Sequence, residues 1–485
     1  MTDDTLKFTF GLINSSDRYL TAETFNFKID ASATGMKQRQ IWCLEQEADG
    51  SCVYFKSCLN RYLGTDKYGK VRCDDETPGK ENAFHVEATA DGRWAIKSAE
   101  YDRYFGGSPD CLDCFGKDID NNRLWIVHLA MHPQMNLYSL TRKKFAAVEG
   151  DELQVTQLTP WGVNTLITLV YRERGYGLMT ADNRYLSKAG TLEDSFGPST
   201  RFTLEFYAGC IAFKDMDGKY LSPIGPKGAI QSRKGQVSKD EKFSMQDSHP
   251  QFHLKSKTRN KFVSVKQGVQ VVANQEEPSE DNTETFQMEI NPDTGFWSFR
   301  TTKDNYWKCD MNNNVMANNH KRDDDSWFQI EWRGRSVRLR TASGKYVAVK
   351  SGGNLILKSD ESDAEEFVLT LINRPVIVFR CMNSFIGIHG EKLNGKRANY
   401  DIFTMEEKDG AYAFKGRNGK YWALTGDSSI AINSAHPEYF IIELVKHSRL
   451  MIRPEQSDKF LVADKVTGTL TASGCRDDEG VLWEY

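Results

Sequence analysis

The chain has 485 residues, and its 63 Lys and Arg against 67 Asp and Glu give a formal net charge of -4. This near balance argues against a general nucleic-acid binder, which would carry a clear basic excess. Hydrophobic residues make up 39% of the chain, which excludes intrinsic disorder as the main state. No apolar stretch approaches the roughly 18 residues needed to cross a bilayer, and the chain start lacks the apolar core of a secretion signal.

One short pattern recurs along the whole chain. It consists of a turn residue, usually a base, an aromatic residue and an apolar residue, and Asn60-Arg61-Tyr62-Leu63 is a typical copy. The twelve copies lie at Asp17–Leu20, Asn60–Leu63, Asp102–Phe105, Arg142–Phe145, Asn183–Leu186, Gly218–Leu221, Asn260–Val263, Asp304–Trp307, Gly344–Val347, Ser384–Ile386, Gly419–Trp422 and Asp458–Leu461. Their mean spacing of about 40 residues indicates a repeat architecture.

Most copies are followed by an aromatic or apolar residue that opens a stretch of alternating hydrophobicity. Trp42-Cys43-Leu44 and Phe286-Gln287-Met288 are examples. Period-2 alternation, Gly- and Asn-containing turns and the lack of long 3.6-residue periodicity predict short strands. We therefore predict an all-β chain with about four strands per repeat, in which the recurring rings are buried and the preceding bases face water.

Twelve four-stranded repeats fit two architectures. One is a pair of β-propellers, since a single propeller holds about four to eight blades; the other is four β-trefoils of three repeats each. A proline landmark follows every third repeat, at His132-Pro133, His249-Pro250 and Arg374-Pro375, and this grouping favours trefoils. We predict four tandem β-trefoil domains at residues 1–132, 133–249, 250–372 and 373–485.

The sequence motifs that carry catalysis are missing. The chain has no GxSxG elbow, no GxxxxGK[ST] loop and no HExxH helix. His249 and His253 have i,i+4 spacing, but Pro250 and the strand context remove the helix that would align them on a metal. Asp323–Asp325 lacks the other ligand positions and the glycine of a calcium loop. We therefore predict no enzyme activity, no metal site and no cofactor.

Basic residues cluster at several places along the chain. The clusters are Lys37–Arg39, Arg142–Lys144, Lys255–Lys261, Lys321–Arg322, Arg333–Arg335 and Lys392 with Lys396–Arg397. A single cluster of this kind is usually a solvated face. Several clusters on separate domains of a nearly neutral protein would suit contact with an acidic polymer at more than one point.

Nine segments, in order through essentially the full chain, resemble fascin sequences. They are Phe10–Asn14, Arg18–Glu23, Gln40–Trp42, Arg103–Gly107, Ala130–Gln134, Trp161–Val163, Thr285–Gln287, Leu371–Pro375 and Leu482–Tyr485. The resemblance implies four β-trefoils and a cytoplasmic, monomeric protein that cross-links F-actin into tight parallel bundles in filopodia and other cell protrusions. It also implies at least two filament sites on one monomer, with no nucleic acid and no membrane insertion.

The resemblance assigns one actin site to the first and fourth trefoils. Its first-trefoil side matches Arg18 and the stretch from Ser32 to Arg39, in which Lys37 and Arg39 supply positive charge. In the fourth trefoil a basic pair of the family falls near His389 and Gly390, so this chain departs from the pattern there. The nearby bases that would compensate are Lys392, Lys396 and Arg397.

A phosphorylation switch of the family also maps to the first trefoil. The family carries a serine whose modification weakens actin binding, and Gly35 stands at that position here. Ser32 and Thr34 are the neighbouring hydroxyls and our candidate phosphorylation residues. About two negative charges beside Lys37 would weaken attraction to an acidic filament even if the modified residue shifts slightly along the chain.

The second and third trefoils supply further matches. Arg142, Lys143 and Lys144 match a basic loop of the second trefoil and are our best candidates for a second actin site. In the third trefoil, Lys261 and Ser264 match positions implicated in binding or its regulation, and Ser264 is a third candidate for phosphorylation.

Two other classes of function remain open at this point. The first is a carbohydrate-binding trefoil of the lectin kind, whose repeats carry a Gln-x-Trp signature; it occurs once here, at Gln40-Ile41-Trp42. The second is a scaffold that holds protein partners without actin. Glycan binding to a column would favour the lectin, and failure to sediment with actin filaments would favour the scaffold.

Overall fold

The computed structural model describes residues 8–46, 52–89, 91–108, 111–207, 209–381 and 384–485. The first seven residues, where we expect no secretion signal, lie outside these ranges. Within them the chain forms β-strands and short 3-10 turns but no α-helix, which confirms the all-β prediction. The chain divides into two compact units: residues up to Pro160 with Asn164–Asp247, and Trp161–Val163 with Ser248–Tyr485.

The first three repeats form one sheet. Its strands are β1 (Thr9–Ile13), β2 (Tyr19–Ala22), β3 (Ile29–Ala33), β4 (Trp42–Gln46), β5 (Val53–Ser57), β6 (Tyr62–Thr65), β7 (Val71–Asp75), β8 (Phe84–Ala88), β9 (Trp94–Ser98), β10 (Tyr104–Ser108), β11 (Cys111–Gly116) and β12 (Leu124–Leu129). The 3-10 turns are Gln38–Gln40, Lys80–Asn82 and Asn121–Arg123.

The strand pairing of this sheet closes a barrel. In the order β1, β4, β5, β8, β9 and β12, each strand is antiparallel to the next, and β12 returns to β1. The remaining strands form three hairpins, β2–β3, β6–β7 and β10–β11, whose second strands contact one another. A six-stranded barrel with a triplet of hairpins is a β-trefoil, which excludes the radial blades of a propeller.

The next three repeats repeat this plan. Their strands are β13 (Gln134–Ser139), β14 (Lys144–Glu149), β15 (Glu152–Gln157), β16 (Ile167–Arg172), β17 (Gly175–Thr180), β18 (Tyr185–Leu186), β19 (Leu192–Glu193), β20 (Phe202–Tyr207), β21 (Cys210–Asp215), β22 (Tyr220–Ile224), β23 (Ala229–Lys234) and β24 (Phe243–Gln246), with a 3-10 turn at Val163–Thr165. The barrel closes in the order β13, β16, β17, β20, β21 and β24.

The third barrel lies in the second unit. Its strands are β25 (Gln251–Ser256), β26 (Lys261–Lys266), β27 (Gln270–Gln275), β28 (Phe286–Ile290), β29 (Trp297–Thr301), β30 (Tyr306–Cys309), β31 (Val315–Asn319), β32 (Phe328–Arg333), β33 (Ser336–Thr341), β34 (Tyr346–Val349), β35 (Leu355–Lys358) and β36 (Phe367–Leu371), with 3-10 turns at Asp324–Ser326 and Glu361–Asp363. The barrel strands are β25, β28, β29, β32, β33 and β36.

The fourth barrel follows the same plan, but its first strand is split and its last hairpin forms a separate two-stranded sheet. Its strands are β37 (Val376–Ile377), β38 (Arg380–Cys381), β39 (Ser384–His389), β40 (Lys392–Arg397), β41 (Phe403–Lys408), β42 (Ala411–Lys415), β43 (Tyr421–Leu424), β44 (Ile430–Ser434), β45 (Phe440–Lys446), β46 (Arg449–Pro454), β47 (Phe460–Ala463), β48 (Leu470–Gly474) and β49 (Trp483–Glu484), with a 3-10 turn at Glu479–Val481. β37 pairs with β41, and β38 pairs with β49.

The recurring aromatic residues are structural, as we expected. Tyr62 is buried, and its hydroxyl donates to Glu45 Oε2 at 2.7 Å. Tyr220 and Tyr421 make the same bond to Glu205 and Glu406, at 2.8 and 3.0 Å. The strand-opening indoles are buried too, and Trp42 Nε1 donates to the Leu20 carbonyl at 3.1 Å. These tyrosines and Trp42 therefore fill their cores and have their polar groups hydrogen-bonded.

A buried tyrosine hydroxyl joins the two barrels inside each unit. Tyr176 accepts a hydrogen bond from the Leu129 amide at 2.8 Å and donates to the Val127 carbonyl at 3.1 Å, both on the last strand of the preceding barrel. Tyr412 does the same with the Leu371 amide at 3.0 Å and the Leu369 carbonyl at 3.3 Å. In the first unit one apolar cluster runs through both barrels, and in the second unit another does.

We predict that Tyr176→Phe lowers the free energy of unfolding by about 1–3 kcal/mol, because the buried Leu129 amide loses its acceptor. Urea denaturation of the full chain, followed by fluorescence, measures this change. Tyr68→Phe is the matched control, since the Tyr68 side chain is 67% exposed. Equal midpoints for Tyr176→Phe and the parent would contradict this role of the hydroxyl.

Candidate functional site

The predicted bases of the first barrel lie around the 3-10 turn Gln38–Gln40. The buried Gln40 side chain holds this turn, because its Oε1 accepts from the Lys37 amide at 2.9 Å and its Nε2 donates to Thr21 Oγ1 at 3.1 Å. The backbone is therefore anchored to β2 from inside the barrel. The side chains of Lys37 and Arg39 extend outward and are exposed.

Arg39 and Lys37 differ in whether an acid of this chain already neutralises their charge. The Arg39 guanidinium pairs with the Glu23 carboxylate at 2.7 Å, whereas the Lys37 ammonium makes no ion pair with any acid in the described ranges. Arg18 is half-buried at the turn before β2, where its amide donates to Asn14 Oδ1 at 3.0 Å. Exposed pairs are weak, so Arg39 can exchange Glu23 for an acid on a partner.

The Gln-x-Trp pair has a structural role in this barrel. Trp42 has no exposed surface, and Gln40 is buried beside Thr21. A ring enclosed in the core cannot stack on a sugar. The one sequence feature that favoured a lectin is thus accounted for by the packing of the barrel.

The hydroxyl candidates of this surface are accessible. Ser32 is exposed, and its Oγ donates to Asp30 Oδ1 at 2.8 Å; Thr34 is exposed as well. A Cβ built on Gly35 would meet no atom within 4 Å, and its φ lies outside the left-handed region. Position 35 can therefore accept a side chain without rearrangement.

In the second barrel, the predicted bases occupy the turn between β13 and β14. Arg142 Nη2 donates to the Gly225 carbonyl at 2.7 Å, and the Lys143 amide donates to the Ser139 carbonyl at 2.8 Å. Lys143 is exposed at a left-handed φ of 53°, and Lys144 begins β14. The turn is anchored at two points, while the Lys143 side chain points away from the barrel.

Arg184, the base of one repeat copy, bonds to another turn, which qualifies our expectation that the repeated bases face water; Arg142 and Arg259, beside the base positions of two other copies, bond in a similar way. Arg184 Nη2 donates to the Gly150 carbonyl at 3.0 Å, and Arg259 Nη1 donates to the Ser351 carbonyl at 2.6 Å. In each case the arginine of a repeat holds the hairpin turn of a neighbouring repeat. A guanidinium has five N–H donors at fixed angles, so Arg184 can hold the turn carbonyl and also pair with Asp151 and Asp182.

The third-barrel candidates are less available. Lys261 pairs with Glu276 at 2.8 Å, and the hydrogen bond from Lys261 holds the pKa of the Glu276 carboxyl below its usual value. The Ser264 side chain is buried and donates to Asn274 Oδ1 at 2.7 Å. This burial argues against Ser264 as a phosphorylation residue in the folded chain, because a kinase must reach the hydroxyl.

The fourth-barrel bases lie on the hairpin β39–β40. Lys392 and Arg397 are exposed at the two ends of β40. In the strand register, His389 of β39 lies opposite Lys392 across the turn. The Lys396 ammonium donates to the Lys465 carbonyl in a neighbouring hairpin turn. Lys392 and Arg397 make no ion pair with acids in the described part of the chain. Their positive charges are therefore available to a binding partner.

The structure thus sorts the predicted bases into anchored and available ones. In the first unit, no hydrogen bond or ion pair among the described residues joins Arg18, Lys37 or Arg39 to the turn that carries Lys143. The two groups of bases stand on different barrels of this unit. The sequence also missed Lys227, which is exposed in the turn that Arg142 holds; no sequence signal brings residues 142 and 227 together.

The described ranges contain neither a metal-binding cluster nor a membrane-spanning helix. No group of three or more His, Cys, Asp and Glu side chains there is arranged to hold a metal ion. No helix among those residues is long and apolar enough to span a membrane.

Comparison with known proteins identifies one family over nearly the whole length of the chain. The sequence model of the fascin domain matches residues 16–127, 135–245, 258–369 and 382–485. Fascin-2 of Bos taurus is 40% identical over 488 aligned residues, which cover 99% of this chain and 98% of the relative. Fascin of Strongylocentrotus purpuratus is 34% identical over 501 residues, with 99% of each chain covered.

We predict that Gly35→Ser changes the free energy of unfolding by no more than about 0.5 kcal/mol, because the added Cβ and hydroxyl enter open space. Gly69→Ser is the contrasting variant. Gly69 has a φ of 72°, and its added Cβ would lie 2.8 Å from the Phe115 ring, so this variant should be clearly less stable. Urea midpoints of the two variants and the parent test the difference, and equal destabilisation by both would contradict it.

Proposed function

Because the chain belongs to the fascin family, we propose that it cross-links F-actin into tight parallel bundles through at least two separate basic surfaces on one monomer. Its role in this proposal is mechanical and not enzymatic. We place the protein in the cytoplasm, at the actin cytoskeleton of filopodia and other protrusions. The domain boundaries predicted from the sequence, 1–132, 133–249, 250–372 and 373–485, remain a prediction.

The observation that carries the proposal is the position of Lys37 and Lys143. Both are exposed, both stand on turns anchored by hydrogen bonds, and they belong to different barrels of one compact unit. A cross-linker needs two contacts that can be occupied at once, since one site would only decorate a filament. Two basic surfaces would each attract an acidic filament.

We assign the filament contacts by barrel. The first barrel contributes Arg18, Lys37 and Arg39; the second contributes Arg142, Lys143 and Lys144; the third contributes Lys261; and the fourth contributes Lys392, Lys396 and Arg397. Within these sets we rank Lys37, Lys143, Lys392 and Arg397 highest, because their charges are exposed and unpaired among the described residues. Arg39 and Lys261 rank below these four, since each is already paired with an acid of this chain.

Regulation would act on the first-barrel surface. Ser32 and Thr34 are exposed within a few residues of Lys37, and a phosphate there would add about two negative charges. We propose that this modification weakens filament binding by neutralising Lys37 and by competing with the filament for Arg39. Gly35 itself cannot be modified in this way.

We expect the wild-type protein to sediment with actin filaments at low centrifugal speed, and to do so less at high salt. Low-speed sedimentation reports bundles, and its loss with salt reports exposed charges, because a Debye length of about 8 Å at physiological ionic strength shortens further as salt rises. Sedimentation only at high speed would show binding through one surface. No sedimentation at either speed would contradict the proposed function.

We further predict that Lys143→Glu combined with Lys144→Glu abolishes low-speed sedimentation and leaves the fold unchanged. The control is Lys303→Glu combined with Lys358→Glu, which makes the same change in net charge at two exposed third-barrel lysines. Circular dichroism and the urea midpoint check the fold. Normal bundling by the Lys143/Lys144 variant would refute the second-barrel assignment.

A further inference from the structure

An exposed aromatic side chain stands beside the first-barrel bases. Phe25 lies in the turn between β2 and β3 and is 79% exposed. Two other exposed rings of this barrel are partly covered by bases, since Lys67 lies 4.9 Å from the Tyr68 centroid and Arg103 lies 5.4 Å from that of Phe115. Phe25 has no ring or cation contact with any described residue.

The turn that carries Phe25 is held in one conformation. The Glu23 amide donates to the Lys28 carbonyl at 2.8 Å and closes the turn at its base. Asn26 and Phe27 both have left-handed φ angles, 53° and 49°. This conformation is unfavourable for a phenylalanine and persists only where the surroundings enforce it.

Arg61 supplies that support. Its guanidinium lies 4.9 Å from the centroid of the Phe27 ring and donates to the Asp74 carbonyl at 3.0 Å. It also pairs with Glu76 at 2.7 Å. Like Arg142, Arg184 and Arg259, Arg61 contacts the hairpin turn of a neighbouring repeat, but it does so through the Phe27 ring, and its hydrogen bond goes to its own hairpin. Phe27 is thereby fixed against the barrel, and Phe25, two residues before it, is left pointing to solvent.

The same turn is linked to the basic surface. Glu23 begins the turn, and its carboxylate pairs with Arg39 at 2.7 Å. Phe25 therefore lies two residues from the counter-ion of a predicted filament-binding base. An isolated exposed ring needs no explanation, but a ring held on a supported turn beside an exchangeable Arg–Glu pair has the composition of a binding hot spot.

We propose that Phe25 is an apolar anchor of the first-barrel filament surface. This inference rests on the proposed function and adds to it a non-ionic contact: the Phe25 ring enters an apolar recess on actin, whose rim carries the acids that meet Lys37 and Arg39. Because the turn is already ordered, binding costs little conformational entropy. Charge then guides the approach, and burial of the ring slows dissociation.

An apolar anchor and a charged contact respond differently to salt. Screening weakens the attraction of exposed charges, whereas burial of a ring does not depend on charge. Loss of Phe25 should therefore weaken binding by a similar factor at every salt concentration. Loss of Lys37 should reduce the dependence of affinity on salt.

High-speed sedimentation with actin filaments over a series of KCl concentrations tests this. The assay uses the full chain carrying Lys143→Glu and Lys144→Glu, so that the second-barrel surface does not contribute. In this background we expect Phe25→Ala to weaken binding at least tenfold at every salt concentration, with an unchanged slope of log affinity against log salt. Phe25→Leu should recover part of the loss, and Lys37→Ala should flatten the slope.

Met311→Ala is the control, because Met311 is fully exposed on the third barrel and belongs to no proposed surface; it should bind like its parent. Circular dichroism confirms that each variant is folded. Binding by Phe25→Ala equal to its parent would overturn the anchor and leave the proposed function intact. If the unmodified chain does not sediment with filaments at either speed, the proposed function and the anchor both fail.

Discussion

A repeat of about 40 residues cannot bury its own apolar face, and the rest of the structure depends on this constraint. Closure of three repeats solves it, because each contributes two strands to the barrel and one hairpin to the triplet. In the first barrel, Phe10, Phe55 and Trp94 come from three different repeats, and their rings meet at 5.3–6.2 Å. The core thus requires all three repeats, while the connecting turns are free to differ.

The buried tyrosine hydroxyls connect the two barrels of each unit, as the shared core connects the three repeats of each barrel. Tyr176 and Tyr412 occupy corresponding positions in their units, and each satisfies two backbone groups of the preceding barrel. A buried amide left without a partner is costly, so the barrels of one unit resist separation. A filament cross-linker benefits from this property, because regular bundles need contacts at constant spacing.

Positive charge has two uses in this protein. Arg142 and Arg259 donate hydrogen bonds to the carbonyls of neighbouring turns. Lys143 and Lys37 instead expose their charge to solvent. The two uses support each other, since an anchored turn holds its exposed lysine in place. The support that Arg61 gives to the Phe27 turn follows the same principle, and it explains how an irregular turn can present a ring at a defined position.

The twelve repeats, their all-β character and their grouping in threes can be predicted from the sequence, because these properties follow from local periodicity and regularly spaced landmarks. The basic clusters that are contiguous in the chain are visible there too, but the approach of Lys227 to the Arg142 turn is not. The sequence does not reveal that Arg39 is paired with Glu23, that Arg142 holds Gly225, or that Ser264 is buried against Asn274; these contacts are seen in the folded chain alone. Strand alternation assigns residues to two faces but does not say what covers each face. Whether a side chain is free to bind a partner depends on contacts between segments that are distant in the chain. Those contacts exist only once the barrels have closed.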